Sequence, residues 1–218
     1  SPSRFIDQAE DSGLIIDIGL WVLEQACQQG YRWHQQGILR GNISVNISPV
    51  QLSQPTIVDD IAAILERTAF PAHHLELEIT ESLLIKDLKT AQDVLLALKQ
   101  LRVRIALDDF GKGYSSLNYL TQFPIDTLKI DKGFLSSILP EETSNIVLRN
   151  IITLGNELKL DVIAEGVETH AQLLKLKQYN CKIVQGFLFS HALDVTQLEV
   201  CLLHNKLTLC EYVEVENE

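Results

Sequence analysis

The chain has 218 residues, 46% hydrophobic, 22% charged and 6% aromatic, enough for the core of one soluble domain and too apolar for a disordered segment. A formal net charge of −11 excludes a broad electrostatic grip on duplex nucleic acid or anionic lipid, since both need clustered Lys and Arg. There is no 18-residue apolar run and no basic segment leading into an apolar stretch, so neither a membrane span nor a signal peptide is expected.

That pattern points to a cytoplasmic domain, free or as a soluble module of a membrane-anchored parent. Cys27, Cys181, Cys201 and Cys210 lack any CxxC or Cys/His spacing, so they read as reduced thiols rather than zinc ligands or a disulfide framework. The six histidines fall into no ligand pattern and read as surface or structural residues. The chain opens at Ser1-Pro2 on a helical pattern already under way, as if cut inside a domain. Its acidic end, 211–218, reads as a tail or linker after a domain spanning 1–210.

Helical periodicity covers Arg4–Leu14 and Ile15–Trp33, with a break predicted near Gly13. Thereafter β-branched runs alternate with amphipathic segments, the signature of β/α units with parallel strands. The predicted strands are Ile43–Ile47, Leu75–Ile79, Val103–Asp108, Asp126–Ile130, Asp161–Glu165 and Lys182–Gln185. Helices are predicted over Gln54–Thr68, Thr90–Gln100, Ser115–Gln122, Asn145–Lys159, His170–Tyr179 and Val195–Leu203.

Side chains of a strand alternate between faces. One set, Ile43/Val45/Ile47, Leu75/Leu77/Ile79, Val103/Ile105/Leu107 and Leu128/Ile130, is apolar and fit to lie under helices. The opposite set contains Ser44/Asn46, Glu76/Glu78, Arg104/Ala106/Asp108 and Lys129/Asp131. A doubly wound sheet covered on both sides would be apolar on both faces. A closed barrel has one apolar face outward and a site floor inward, so the expected fold is an α/β (β/α)8 barrel of TIM type. Six visible strands place two first strands upstream of Ser1.

The strand ends carry Asn46, Glu78, Asp108 with Asp109, Lys129, Glu165 and Gln185. Asn46, Glu78, Asp108 and Asp109 offer hard oxygen donors suited to Mg2+ or Mn2+. The adjacent Asp108-Asp109 pair can bridge two ions, the arrangement that clamps attacking and leaving oxygens in phosphodiester hydrolysis. Lys129 can neutralise developing charge or orient water, and Glu165 can accept its proton or bind the second ion. A lysine at a barrel strand end also suits a Schiff-base aldolase, the rival enzyme reading. After the acidic pair runs Phe110-Gly111-Lys112-Gly113-Tyr114-Ser115-Ser116, a flexible loop whose hydroxyls can cap the next helix.

Taken together these motifs resemble the EAL domain family, whose members hydrolyse cyclic di-GMP to the linear dinucleotide pGpG in bacterial second-messenger signalling. Val45-Asn46-Ile47-Ser48 resembles VNxS, Glu78-Ile79-Thr80-Glu81-Ser82 resembles ELTES, and Leu107-Asp108-Asp109-Phe110-Gly111 contains DDFG. Leu128-Lys129-Ile130-Asp131 matches LKID, Ala164-Glu165-Gly166-Val167-Glu168 matches AEGVE, and Val184-Gln185-Gly186-Phe187 is similar to the QG-aromatic motif.

The resemblance implies the barrel, and Mg2+ or Mn2+, two ions, held by Asn46, Glu78, Asp108, Asp109 and Glu165. It implies Lys129 and Glu165 as catalytic groups and Gln185 in the water or ligand network. Glu81 is implied as the anchor of loop 110–116, itself linked to dimer contacts, with Asp131 and Glu168 as supporting members. A homodimer and an upstream sensory or GGDEF-type domain are the implied partners. Two departures stand out. The Glu-Ala-Leu segment with its metal-binding glutamate is expected upstream of Ser1, so this chain alone is expected to be impaired. Lys112 occupies a loop position where the family has a small residue or Thr. The competing functions are a non-catalytic cyclic di-GMP receptor and, third, a purely structural interaction module.

Overall fold

The computed structural model describes residues 5–81, 88–111, 117–136 and 142–203. Ser1, Pro2, Ser82, Lys112, Gly113, Tyr114, Ser115, Ser116 and the acidic tail lie outside the described residues. Two helices open the chain, α1 (Ile6–Ser12) and α2 (Ile15–Gln35), parted at Gly13, whose φ of +75° is a left-handed conformation that glycine adopts without a Cβ clash.

The strands are β1 (Ile43–Asn46), β2 (Leu75–Thr80), β3 (Arg104–Phe110), β4 (Thr127–Ile130), β5 (Asp161–Ala164) and β6 (Ile183–Val184). They pair in parallel in strict chain order, with β1 and β6 at the edges. A doubly wound sheet reverses its strand order at a switch point, whereas this sheet never does, which is the winding of a barrel.

Between the strands lie α3 (Pro49–Leu52), α4 (Ile57–Thr68), α5 (Leu88–Gln100), α6 (Leu117–Gln122), α7 (Gly133–Ser136), α8 (Glu142–Glu157) and α9 (His170–Gln178), with α10 (Val195–Leu203) after β6. Sequence periodicity misses α3 and α7, because four residues are barely one helical turn. Only the reciprocal pairing of Ser48 with Gln51 around Pro49 marks α3.

The apolar strand faces meet these helices as the alternation predicts. Leu23 and Cys27 of α2, Ile57, Ile61 and Ile64 of α4, and Leu95 and Leu98 of α5 form one core with Val45, Leu75, Leu77, Ile79, Ile105 and Leu107. A second cluster gathers Ile130, Leu148, Ile152, Val162 and Leu176 under α8 and α9. Each such aliphatic side chain contributes about 1.5–3 kcal/mol when fully buried. Among the described residues no helix is long and apolar enough to cross a membrane.

Candidate active site

The inner face of the sheet is polar in two layers. The lower layer sits near the amino ends of the strands. There the buried Glu76 accepts from Ser44 Oγ at 3.0 Å, Arg104 Nε at 3.1 Å and Thr127 Oγ1 at 2.6 Å. Arg104 also pairs with Asp161, so this layer cross-links β1 through β5 from inside. Its charges are satisfied within the protein.

The upper layer is built around Lys129, 4% exposed. Its ammonium lies 2.8 Å from Glu78, 2.7 Å from Glu165 and 3.3 Å from Asp108, and so ties together carboxylates from β2, β3 and the residue after β5. Alternation alone would send Asp108 and Asp109 to opposite faces. The β3–β4 register instead slips between Leu107 and Phe110, so that three steps on β3 match two on β4. Such a bulge re-aims a side chain, and Asp109 takes the left-handed conformation it requires, with φ +57°. Carboxylate oxygens of Asp108, Asp109 and Glu165 consequently lie within 4.8 Å of one another. Three hard oxygen donors this close can hold a divalent cation of the Mg2+ or Mn2+ kind.

Burial pushes the Lys129 ammonium towards the neutral form, but hydrogen bonds to Glu165 and Glu78 and the charges of Glu78 and Asp108 outweigh it, raising its pKa above the ordinary lysine value. Burial pushes the Glu165 carboxyl up. Lys129 opposes that push, Asp108 and Glu78 add to it, and the net shift is upward. Schiff-base chemistry needs a deprotonated amine, so a lysine held protonated by three carboxylates argues against the aldolase alternative.

Asn46 is exposed on the edge strand β1, beside Glu78 in the register. Glu81 is buried and its Oε2 accepts from Gly111 N at 3.4 Å. Asp131, also buried, accepts from Gly133 N at 2.8 Å and so caps the turn into α7. Asp109, Asp131, Glu165, Glu168 and Gln185 share the wall of an open cleft of about 300 Å³. Lys132, Gly166, Gly186 and Phe187 complete it. No role is assigned from sequence to Lys132, next to the Leu128–Asp131 motif, or to Phe187, the aromatic residue of the Val184–Phe187 motif. Four of the histidines have ring contacts: the rings of His34 and His73 lie 5.6 and 4.4 Å from that of His74, and His191 lies 4.2 Å from Phe187. Sequence distance hides the His34–His74 pair, whereas His73 and His74 are neighbours in the chain.

A singly wound parallel α/β sheet with acidic groups and a lysine at its strand ends defines a barrel-type protein with a polar, cation-competent site. The chain belongs to the EAL domain family, whose family model matches residues 1–192. It is 42% identical over 198 residues to the signaling protein YkoW of Bacillus subtilis, covering 91% of this chain and 25% of that protein. It is 39% identical over 198 residues to the cyclic di-GMP phosphodiesterase NbdA of Pseudomonas aeruginosa, covering 91% of this chain and 25% of that protein. The structure of the PaMucR phosphodiesterase in complex with c-di-GMP superposes with a TM-score of 0.87 at 39% identity, covering 91% of this chain and 80% of that one. The chain spans roughly a quarter of the length of the curated relatives it matches, 25%, 29% and 24% for three of them.

Proposed function

We propose that this chain carries the site of a metal-dependent phosphodiesterase that hydrolyses cyclic di-GMP to linear pGpG. The carrying observation is the Asp108, Asp109 and Glu165 cluster around Lys129, in a family with relatives named as cyclic di-GMP phosphodiesterases. In this reading Asn46, Glu78, Asp108, Asp109 and Glu165 hold two Mg2+ or Mn2+ ions. Such ions polarise a phosphoryl oxygen and lower the pKa of water.

The residues of the chain supply the rest. Lys129, kept protonated, donates hydrogen bonds where negative charge builds on the phosphoryl oxygens. Glu165, with its affinity for a proton raised by burial, can take up the proton of the attacking water at a carboxylate oxygen. Gln185 offers an amide at the cleft wall for water or ligand. Glu81 holds Gly111 and with it the start of loop 110–116. Asp131 fixes the turn after β4, and Glu168 adds charge to the cleft. The domain is taken as 1–210, and a homodimer and an upstream sensory or GGDEF-type domain belong to the proposal for the parent.

The test is Mg2+- or Mn2+-dependent conversion of cyclic di-GMP to pGpG, by this chain and by one extended upstream. Turnover by the extended chain, lost with Glu165→Ala and with EDTA, is the expected result; robust turnover by the 218 residues alone would overturn the expected impairment. An extended chain that binds the nucleotide and never cleaves it would make the protein a receptor.

A further inference from the structure

Three of the six histidines gather at the amino ends of the strands, whereas Lys129 and its carboxylates lie at the carboxyl ends. His34 belongs to the last turn of α2, and His73 and His74 form the 3-10 turn that leads into β2. The ring of His74 lies 5.6 Å from that of His34 and 4.4 Å from that of His73, with planes inclined by 50° and 41°. The buried ring of Phe70 lies 6.4 Å from it.

His74 is tied down through one nitrogen. Its Nδ1 lies 2.9 Å from the carbonyl oxygen of Gly41, in the turn before β1. A carbonyl oxygen only accepts, so Nδ1 of the neutral ring carries the proton and Nε2 is the bare nitrogen. Histidines that bind metals are prepared in this way, with one ring N–H on a backbone carbonyl or carboxylate and the other nitrogen left as the ligand.

The spacing fits as well. With Zn–N bonds of about 2.0–2.1 Å in a tetrahedron, two imidazoles on one ion hold their centroids about 5 Å apart. The observed 4.4 and 5.6 Å straddle that value. The three ring nitrogens do not yet converge within 4.8 Å, as the oxygens of Asp108, Asp109 and Glu165 do. His34 and His73 are exposed, and exposed side chains change rotamer in about ps–ns, so a cation can gather them around His74.

We infer that His34, His73 and His74 form a second metal site, for a transition-metal ion of the Zn2+ class. Imidazole nitrogens suit Zn2+, Ni2+ and Cu2+, whereas Mg2+ and Mn2+ prefer the oxygen donors at the other end of the sheet. The ion ties the end of α2 to the entry of β2 and, through Gly41, to the turn before β1. The site stands independently of the phosphodiesterase reading.

Zn2+ is titrated calorimetrically into the full chain with Mg2+ in excess, which competes for the carboxylate cluster. One Zn2+ per chain is expected on the histidines. His74→Gln should weaken it about 100-fold, since loss of even the outer partner of a metal-bound histidine costs about 10–100-fold. His34→Gln and His73→Gln should each weaken it at least about tenfold, and Glu165→Ala should leave it unchanged. His34 is exposed, so His34→Gln decides the matter if His74→Gln fails to fold. Three results would overturn the site: no heat of Zn2+ binding, uptake lost in Glu165→Ala but kept in the histidine variants, or a loss confined to one histidine of the three.

Discussion

Lys129→Ala removes the ammonium that Glu78, Asp108 and Glu165 share at 2.8, 3.3 and 2.7 Å. The Lys129 side chain is 5% exposed, and its three partners are 9%, 15% and 20% exposed, so water cannot replace the lost charge fully. Breaking a buried pair by removing one partner costs about 3–5 kcal/mol. For a chain of this size each kcal/mol lowers Tm by about 2–4 °C, so the expected fall is about 6–20 °C. Thermal unfolding in EDTA at neutral pH measures it. Excess Mg2+ or Mn2+ should recover part of the loss, since a cation bound by the carboxylates stabilises the folded state by mass action. Acid should recover part as well. With the lysine gone, burial and the charges of Asp108 and Glu78 hold the Glu165 carboxyl above its unfolded pKa without the opposing ammonium. The folded variant then binds more protons than the unfolded one, and its stability rises as pH falls. A shift below about 2 °C in EDTA, which corresponds to less than about 1 kcal/mol, would refute the electrostatic account, and so would identical shifts with and without divalent cation.

In the lower layer, Glu76→Ala leaves Thr127 and part of Arg104 without their acceptor, while Arg104 keeps Asp161; a loss of about 3 kcal/mol is expected from urea unfolding. Glu76→Gln, which keeps the shape, should lose less. Gly186→Ala must displace the Val167 backbone, and a cost of about 1–3 kcal/mol is expected by the same assay. Burial pushes the Cys27 thiol up to about 12 and the Cys181 thiol up to about 11. At pH 8 in the native state both should resist alkylation, read by mass spectrometry, while the partly exposed Cys201 labels faster than either. Fast labelling of Cys27 without unfolding would contradict its burial.

The six strands and the major helices are legible in the sequence because their apolar residues recur at the periods of strand and helix. Observed ends differ by a few residues, as at β6, predicted over Lys182–Gln185 and observed at Ile183–Val184. Charged residues on one face of several strands already excluded a sheet covered on both sides. The short helices α3 and α7 were not legible, since one turn carries no period.

Sequence periodicity alone points to the fold class and to the set of acidic residues at the strand ends, because those depend on which face of its own element a residue occupies. Which strand ends meet depends on the register between strands, and that is a tertiary matter. The slip after Leu107 turns Asp108 and Asp109 towards a common cluster, where a regular strand would separate them. The pairing of the strands brings Glu78, Asp108 and Glu165 onto one ammonium, which favours the charged form of Lys129. Phe187 is left exposed while Leu188 and Phe189 pack against the second core cluster, a choice that three consecutive apolar letters cannot express.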